Sequence, residues 1–381
     1  MLQESFHIVE ARVRTIAPVK LKRAFYDGTG GPFDSYGMGM LTLTDADGTV
    51  GHTLGGGSEL NQIFPHLFTS APTRYGEIYP KMYWTLRNAG FRGPAMGALS
   101  SVDRALADIG AKRAKKPLHR YLGATRDWTH AYGSGGSTAL TEDELIEELL
   151  GFAEMGFTTV KMKVGTNLGT EMQRDIARVK NVRKHLGKGV RLAVDANQAW
   201  SSKLALQFIN SIADCDIAWF EEPVHSADLI AIREFCSASP VPAAFGESER
   251  SSKVYPSLVE AGVKHLQPNP LASTSIQEWF EVRDLAVKHQ LPISLPGQPQ
   301  VGCVLAAAAP ETTLSEILFP VLWGFPQYFS KEPKLENGRF LLPSDPGNPL
   351  EVDFDYLEAK GLIREDTITR EENVRNLSKS P

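Results

Sequence analysis

The chain opens with two runs that alternate apolar and polar residues over much of their length, FHIVEARVRTIAPV and MGMLTLTDADGTVGHTL. A period of two predicts strands with one buried face. Asp45-Ala46-Asp47-Gly48 is a hairpin-type turn sequence within the second run. KRAFYDGTGGPFDSYG, between the runs, is Gly-rich and aperiodic and predicts a loop. From about Tyr75 to Leu122 the period becomes helical, most clearly in MGALSSVDRALADIGAKRA. From about His130 onward strand and helix patterns alternate. Strands are predicted near 129–135, 158–164, 190–196, 217–222, 241–247, 263–268, 291–296 and 316–322. TEMQRDIARVKNVRKHL and SIQEWFEVRDLAVKH are examples of the helical patterns between them. Eight such units predict an α/β fold, a (β/α)8 barrel behind an N-terminal α+β capping domain. The last unit is expected to be irregular, because few residues separate Pro296 from the next strand. The tail from about Gln327 is broken by Pro and Gly and is expected to pack back on the capping domain. The predicted division is therefore 1–127, 128–326 and 327–381.

Composition narrows the function classes. A chain of 381 residues is too long for one compact core, which agrees with a barrel plus a second domain. A net charge of −5 leaves no basic footprint for nucleic acid or anionic membrane. No apolar run is long enough to span a bilayer. MLQESFHIVEARV lacks the basic start and apolar centre of a secretory leader. Cys215, Cys236 and Cys303 are scattered, which suits a reducing compartment and excludes a cysteine zinc motif. A cytoplasmic enzyme is the expectation.

Chemistry enters at the strand ends. Asp195, Glu221 and Glu247 close three successive apolar runs, VRLAVDAN, IAWFEEP and VPAAFGES, at intervals of 26 residues. Strand C-terminal ends form the active mouth of such a barrel, so three carboxylates converge there. Their mutual repulsion calls for a cation, and hard oxygen ligands without Cys or His suit Mg²⁺. Taken singly, Asp195 also suits a helix cap and Glu247 an ion pair with Arg250. In TTVKMKVG, Lys161 and Lys163 share one strand face and Met162 points the other way. Two ammonium groups this close, in a buried interior, are expected to titrate below a free lysine, which makes a general base near neutral pH. The alternative is a pair of surface lysines. In Glu221-Glu222, alternation lets only one residue face the axis.

KMK, VDAN, FEEP and GES together resemble the lysine and metal-ligand motifs of the enolase superfamily, in its mandelate racemase and muconate-lactonising group. The resemblance spans nearly the whole chain, including SSVDRALADIGAKRAKKPLHRYLGA and the closing PGNPLEVDFD. It implies that Asp195, Glu221 and Glu247 bind one Mg²⁺ and that Lys163 removes a proton alpha to a carboxylate. It also implies that Lys161 supports the base and that Asn197 lies beside the metal. A Lys or His base working with Mg²⁺ is an established pattern for such sites. Members of the group are commonly dimers, tetramers or octamers, so a homo-oligomer is expected.

The chain departs from the pattern where a second base belongs. Many relatives carry Asp or Lys after the sixth strand and a Gly-Gly run. Here LQPNPLASTS offers Asn269 and Thr274-Ser275. Others carry His after the seventh strand, where LPISLPGQPQVG offers Gly297. Racemisation needs proton delivery to both faces, so β-elimination of water from a sugar acid with Lys163 alone is the first expectation. Tyr26, His52 and Glu316 are candidates for protonating the departing hydroxyl. Lys22, His52, Tyr26, Asn197, Asn269, Gln298 and Glu316 are candidate substrate contacts. A racemase, epimerase or lactone cycloisomerase is the second reading. A metal- or metabolite-binding protein without turnover is the third.

Overall fold

A computed structural model describes residues 4–57, 59–91, 93–271, 275–322 and 326–377. Thr274 and Trp323 lie outside the described residues.

The alternating runs form an antiparallel sheet. Strand β1 (Ile8–Phe25) pairs with β2 (Phe33–Asp45), and β2 pairs with β3 (Val50–Leu54). Ile363–Arg370, from the C-terminal tail, adds antiparallel to the outer edge of β1. The segment expected to be a loop is largely the stem of this hairpin, with Lys20↔Ser35 and Phe25↔Phe33 paired. Its polar side chains hide the period, because neither face of the stem is fully buried. The hairpin tip presses on the barrel. A Cβ on Gly28 would sit 2.5 Å from the Ala196 carbonyl oxygen and 2.7 Å from that of Val164, so only glycine permits this approach.

Helices α1 (Leu60–Leu67), α2 (Tyr75–Thr85) and α3 (Pro94–Arg113) pack behind the sheet. Helix α3 is buried along nearly its whole length, between β3 and the barrel. At the cap–barrel junction the buried Arg104 donates to Thr53 Oγ1, to the Leu54 carbonyl and, at 2.7 Å, to the Pro270 carbonyl.

The barrel strands are β4 (Trp128–Gly135), β5 (Thr159–Lys163), β6 (Arg191–Asp195), β7 (Ile217–Glu221), β8 (Ala243–Phe245), β9 (His265–Leu266), β10 (Ser294–Leu295) and β11 (Leu314–Leu318). Each pairs in parallel with the next except β9 with β10, and β11 pairs in parallel with β4. A single bridge, Leu266↔Ile293, closes the ring between β9 and β10. Helices α4 (Glu142–Glu154), α5 (Met172–Leu186), α6 (Ser202–Ser211), α7 (Leu229–Ala238), α8 (Tyr255–Glu260), α9 (Ile276–His289) and α10 (Pro299–Ala307) alternate with the strands. The seventh unit is therefore complete, because a nine-residue helix, α10, fits after Pro296, and the eighth is the irregular one, with only a helical turn after β11. Strand β11 ends at Leu318 and not near 322. Pro320 supplies no backbone donor to a central strand, and Phe319–Leu322 is a helical turn.

At the junction with α3, Asp103 accepts from the Ile276 N–H that opens α9, at 2.7 Å. Glu278, 2% exposed, accepts from the Ser251 hydroxyl and the Ser252 N–H. Burial pushes its carboxyl up to about 7, against those two donors. A carboxyl raised above its unfolded value of 4.5 favours folding while protonated, so its stabilisation is lost as pH rises from about 4.5 to about 7. Glu278→Gln should flatten the decline of melting temperature across that window relative to the parent. Parallel curves would assign the titration elsewhere.

Candidate active site

Alternation along the barrel strands decides which side chains meet on the axis. Tyr132, Ala193, Trp219 and Ala244 form its apolar floor. One inward step further, Lys163, Asp195 and Glu221 reach the mouth, with Lys161 just below. Asp175 on α5 accepts from the Gly165 and Thr166 N–H groups. The buried Arg178 donates to the carbonyls of Lys163, Gly136 and Ser137. Helix α5 thus fixes the loops after β4 and β5, which carry no regular ladder of their own.

The lysines and carboxylates are interleaved. Lys163 Nζ lies 2.5 Å from Asp195 Oδ2. Lys161 Nζ lies 2.6 Å from Glu221 Oε1, 2.8 Å from Glu316 Oε1 and 3.3 Å from Asp195 Oδ2. Asp195, Glu221 and Glu247 each place one oxygen within 4.8 Å of the others. Glu247 sits two residues beyond the end of β8, after Gly246, and is partly exposed. Arg250 donates to its backbone carbonyl at 3.0 Å, so the expected alternative, an ion pair between the two side chains, is not what the geometry presents. Glu222 turns away from the axis, where Gln198 donates to it at 2.9 Å.

Four carboxylates, Asp195, Glu221, Glu247 and Glu316, face only two ammonium groups. Burial and neighbouring anions push Glu247 up to about 7 and Glu221 well above the usual carboxylate range. Burial acts the same way on Asp195, but Lys163 and Lys161 overcome it and hold that group low. Asn197 Oδ1 is buried without a hydrogen-bond partner among the described residues. An anionic surplus of hard oxygens around a spare buried amide oxygen fits a divalent cation.

The expectation that both lysines titrate low is overturned for the protein groups taken alone. Burial does lower Lys161, but Glu221, Glu316 and Asp195 more than offset it and raise the group well above a free lysine. Asp195 does the same for Lys163, against burial and Lys161. The two-lysine argument omitted the acids that three other strands bring within contact.

The other candidates separate. Glu316 is 3% exposed, touches Lys161 and accepts from the Gly297 N–H at 3.1 Å. Burial opposes its charge, yet the two lysines hold it ionised and below the usual range. In that state it is an acceptor and not the acid considered above. Asn269 and Gly297 face each other: a Cβ on Gly297 would lie 3.1 Å from Asn269 Nδ2. Gln298 accepts from the Tyr36 hydroxyl at 2.9 Å and donates to Gln300 at 2.5 Å, which ties β2 to the loop after β10. Tyr26 lies at the hairpin tip, its main chain bonded to Ser137 and Thr138.

His52 is not brought to the site. Its Nε2 is 2.7 Å from the Leu350 carbonyl and its Nδ1 is 3.4 Å from both Asp108 and Lys112. Both ring nitrogens are engaged at the junction with the tail, so His52 is corrected to a packing role. Lys22 is exposed on the hairpin stem and lines a cleft of about 410 Å³ with Phe25, Glu148 and Phe319. That cleft has none of the four carboxylates in its walls, so Lys22 is likewise not at the centre. His225 is exposed, and His265 is buried at the opposite end of the barrel.

Sequence reasoning missed Gln267, which donates to Glu221 Oε2 at 2.6 Å, and Trp219, whose indole N–H reaches the same oxygen at 3.3 Å. Alternation from His265 carried the signal for Gln267, which faces inward two residues later.

Fold and centre together define a class: a closed parallel barrel enzyme whose mouth holds a buried carboxylate–lysine cluster under a capping hairpin. Residues 144–356, more than half of the chain, match the family model described as enolase C-terminal domain-like, and the chain belongs to the enolase superfamily. It is 31% identical over 309 residues to L-talarate/galactarate dehydratase of Salmonella typhimurium, covering 81% of this chain and 74% of that one. It is 27% identical over 359 residues to 3,6-anhydro-alpha-L-galactonate cycloisomerase of Streptomyces coelicolor, covering 91% of this chain and 98% of that one. A solved structure of L-talarate dehydratase from Polaromonas sp. JS666, complexed with Mg and L-glucarate, has a TM-score of 0.83 and 26% identity. The similarity covers 96% of this chain and 99% of that one. Among the described residues no helix is long and apolar enough to cross a membrane.

Proposed function

We propose that this chain is a Mg²⁺-dependent acid-sugar dehydratase in which Lys163 is the base. The observation that carries this reading is the placement of Lys163 against Asp195, with only Asn269 and Gly297 at the ends of the sixth and seventh strands. β5 and β9 stand four positions apart in an eight-stranded ring, so they face each other across the mouth. Asn269 does not titrate and Gly297 has no side chain, so that side offers no second base. The dehydratase relatives support the substrate class, and the Mg-containing Polaromonas structure supports the metal.

Asp195, Glu221 and Glu247 would hold the ion. When bound, Mg²⁺ stabilises negative charge developing on the substrate carboxylate more than the charge already there, which lowers the barrier. Lys163 Nζ takes the proton from the carbon alpha to that carboxylate. The same ammonium then returns the proton to the departing β-hydroxyl, which leaves as water from the same face. Lys161, fixed by Glu221 and Glu316, keeps a positive charge beside the reacting carboxylate. Asn197 and Asn269 provide amide groups for substrate oxygens, Gln298 lines the β10 side, and the Tyr26–Gly31 tip closes the mouth. We assign capping, catalytic and closing parts to residues 1–127, 128–326 and 327–381, in a cytoplasmic homo-oligomer.

A screen of the purified protein with Mg²⁺ against aldonic and aldaric acids should yield a 2-keto acid product from at least one of them, and EDTA should abolish it. The cycloisomerase relative supports a second reading within the superfamily. Alpha-deuterium incorporation into both epimers in heavy water without any keto product would select a racemase or epimerase and reject dehydration.

A further inference from the structure

We propose that Gln267 is a positioning residue for Glu221, acting at the head of a buried hydrogen-bond chain that runs down the barrel through Ser294 to His265. The inference rests on the metal-binding reading above.

Glu221 is fully buried and both its oxygens are committed. Lys161 donates to Oε1 at 2.6 Å and Gln267 Nε2 donates to Oε2 at 2.6 Å. The same amide nitrogen reaches Ser294 Oγ at 3.1 Å, and Ser294 Oγ lies 2.9 Å from His265 Nε2. The direction at the head follows from the carboxylate, which only accepts, so Gln267 must present its amide N–H groups to Glu221. The same amide nitrogen then donates to the Ser294 oxygen. Burial and the nearby cations Arg191 and Lys161 push His265 down to about 3, so its ring is neutral, and in the tautomer with a bare Nε2 it takes the Ser294 hydroxyl proton.

Turning the amide over would set its carbonyl against both the Ser294 oxygen and the Glu221 carboxylate. Gln267 Oε1 is buried without a hydrogen-bond partner among the described residues. An orphaned carbonyl is a standing penalty, offset here because both amide hydrogens meet fixed acceptors. Trp219 closes the arrangement from below, its rings 4.7 Å from His265 and 5.4 Å from Tyr132, with its indole N–H toward Glu221. Outer residues that orient a ligand in this way commonly alter metal affinity by about 10–100-fold when removed.

The test is calorimetric titration of the full chain with Mg²⁺ alone, beside melting of the metal-free protein. Gln267→Leu keeps the volume and removes both donors. It is expected to raise the Mg²⁺ dissociation constant by about tenfold with little change in melting temperature. Turnover should then recover as Mg²⁺ is raised. Ser294→Ala removes the acceptor that orients the amide and is expected to weaken Mg²⁺ by about threefold. It carries the test if Gln267→Leu does not fold. Unchanged Mg²⁺ affinity in a folded variant overturns the inference. A parent that binds Mg²⁺ but dehydrates no sugar acid defeats the functional reading and leaves this comparison intact. A parent that binds no Mg²⁺ defeats both.

Discussion

Lys163→Ala is expected to abolish sugar-acid turnover and alpha-proton exchange in heavy water, lowering kcat/KM by on the order of 10³–10⁴. Mg²⁺ affinity should change far less. Lys163 contributes a proton acceptor within 2.5 Å of Asp195, while Asp195 retains Lys161 at 3.3 Å and the Asn197 N–H at 2.9 Å after the substitution. The electrostatics explain how the group can work near neutral pH. Burial and Lys161 both lower its pKa, and Asp195 is the main group opposing them. Sharing the Asp195 charge with a cation weakens that opposition and leaves the two lowering influences. Exchange that persists in the alanine variant would remove Lys163 from the mechanism. Loss of Mg²⁺ binding together with exchange would make it structural.

Glu247→Gln is expected to have a comparable effect on activity with the opposite effect on the metal-free protein. Losing one of three ligands should weaken Mg²⁺ by more than the roughly 10–100-fold that follows loss of an outer orienting residue, and remove turnover at millimolar metal. The same change takes a carboxyl that burial and Glu222 push up to about 7 and makes it neutral. Glu247 has no side-chain ion pair to lose among the described residues. The metal-free variant should therefore melt at or above the parent near pH 8. Mg²⁺ should stabilise the parent by about 2.7 kcal/mol at a hundredfold excess over its dissociation constant and leave the variant nearly unmoved. Melting curves with and without Mg²⁺ check both halves. A variant destabilised without metal would overturn the charge argument, and one stabilised by Mg²⁺ as much as the parent would exclude Glu247 as a ligand.

Much of this site was legible before any fold was known. Asp195 and Glu221 stand at the ends of short apolar strands, and a strand's period of two is a property of the local backbone. That alone places Lys161 and Lys163 on one face with Met162 opposite, and chooses Glu221 over Glu222 for the axis. The hairpin stem, by contrast, predicts a loop from sequence because Gly-rich, polar residues interrupt the alternation that Leu21 and Phe25 begin. Its strand character comes from pairing between β1 and β2, which leaves no mark in hydrophobic order. His52, a candidate from sequence, lies on β3. The tail, arriving from almost three hundred residues away, takes its ring instead through Leu350.

The sequence by itself determined most element types, the eight barrel strands and the identity of the inward carboxylates, because these follow from contacts between near neighbours along the chain. Only the tertiary structure decided the charge state of the centre and the residues that orient it. Glu316 reaches Lys161 because β11 closes the ring beside β4. Gln267 reaches Glu221 because β9 and β7 flank β8. Coulomb energies depend on distances of a few ångströms in a medium of low polarisability, and those distances do not exist until the ring closes.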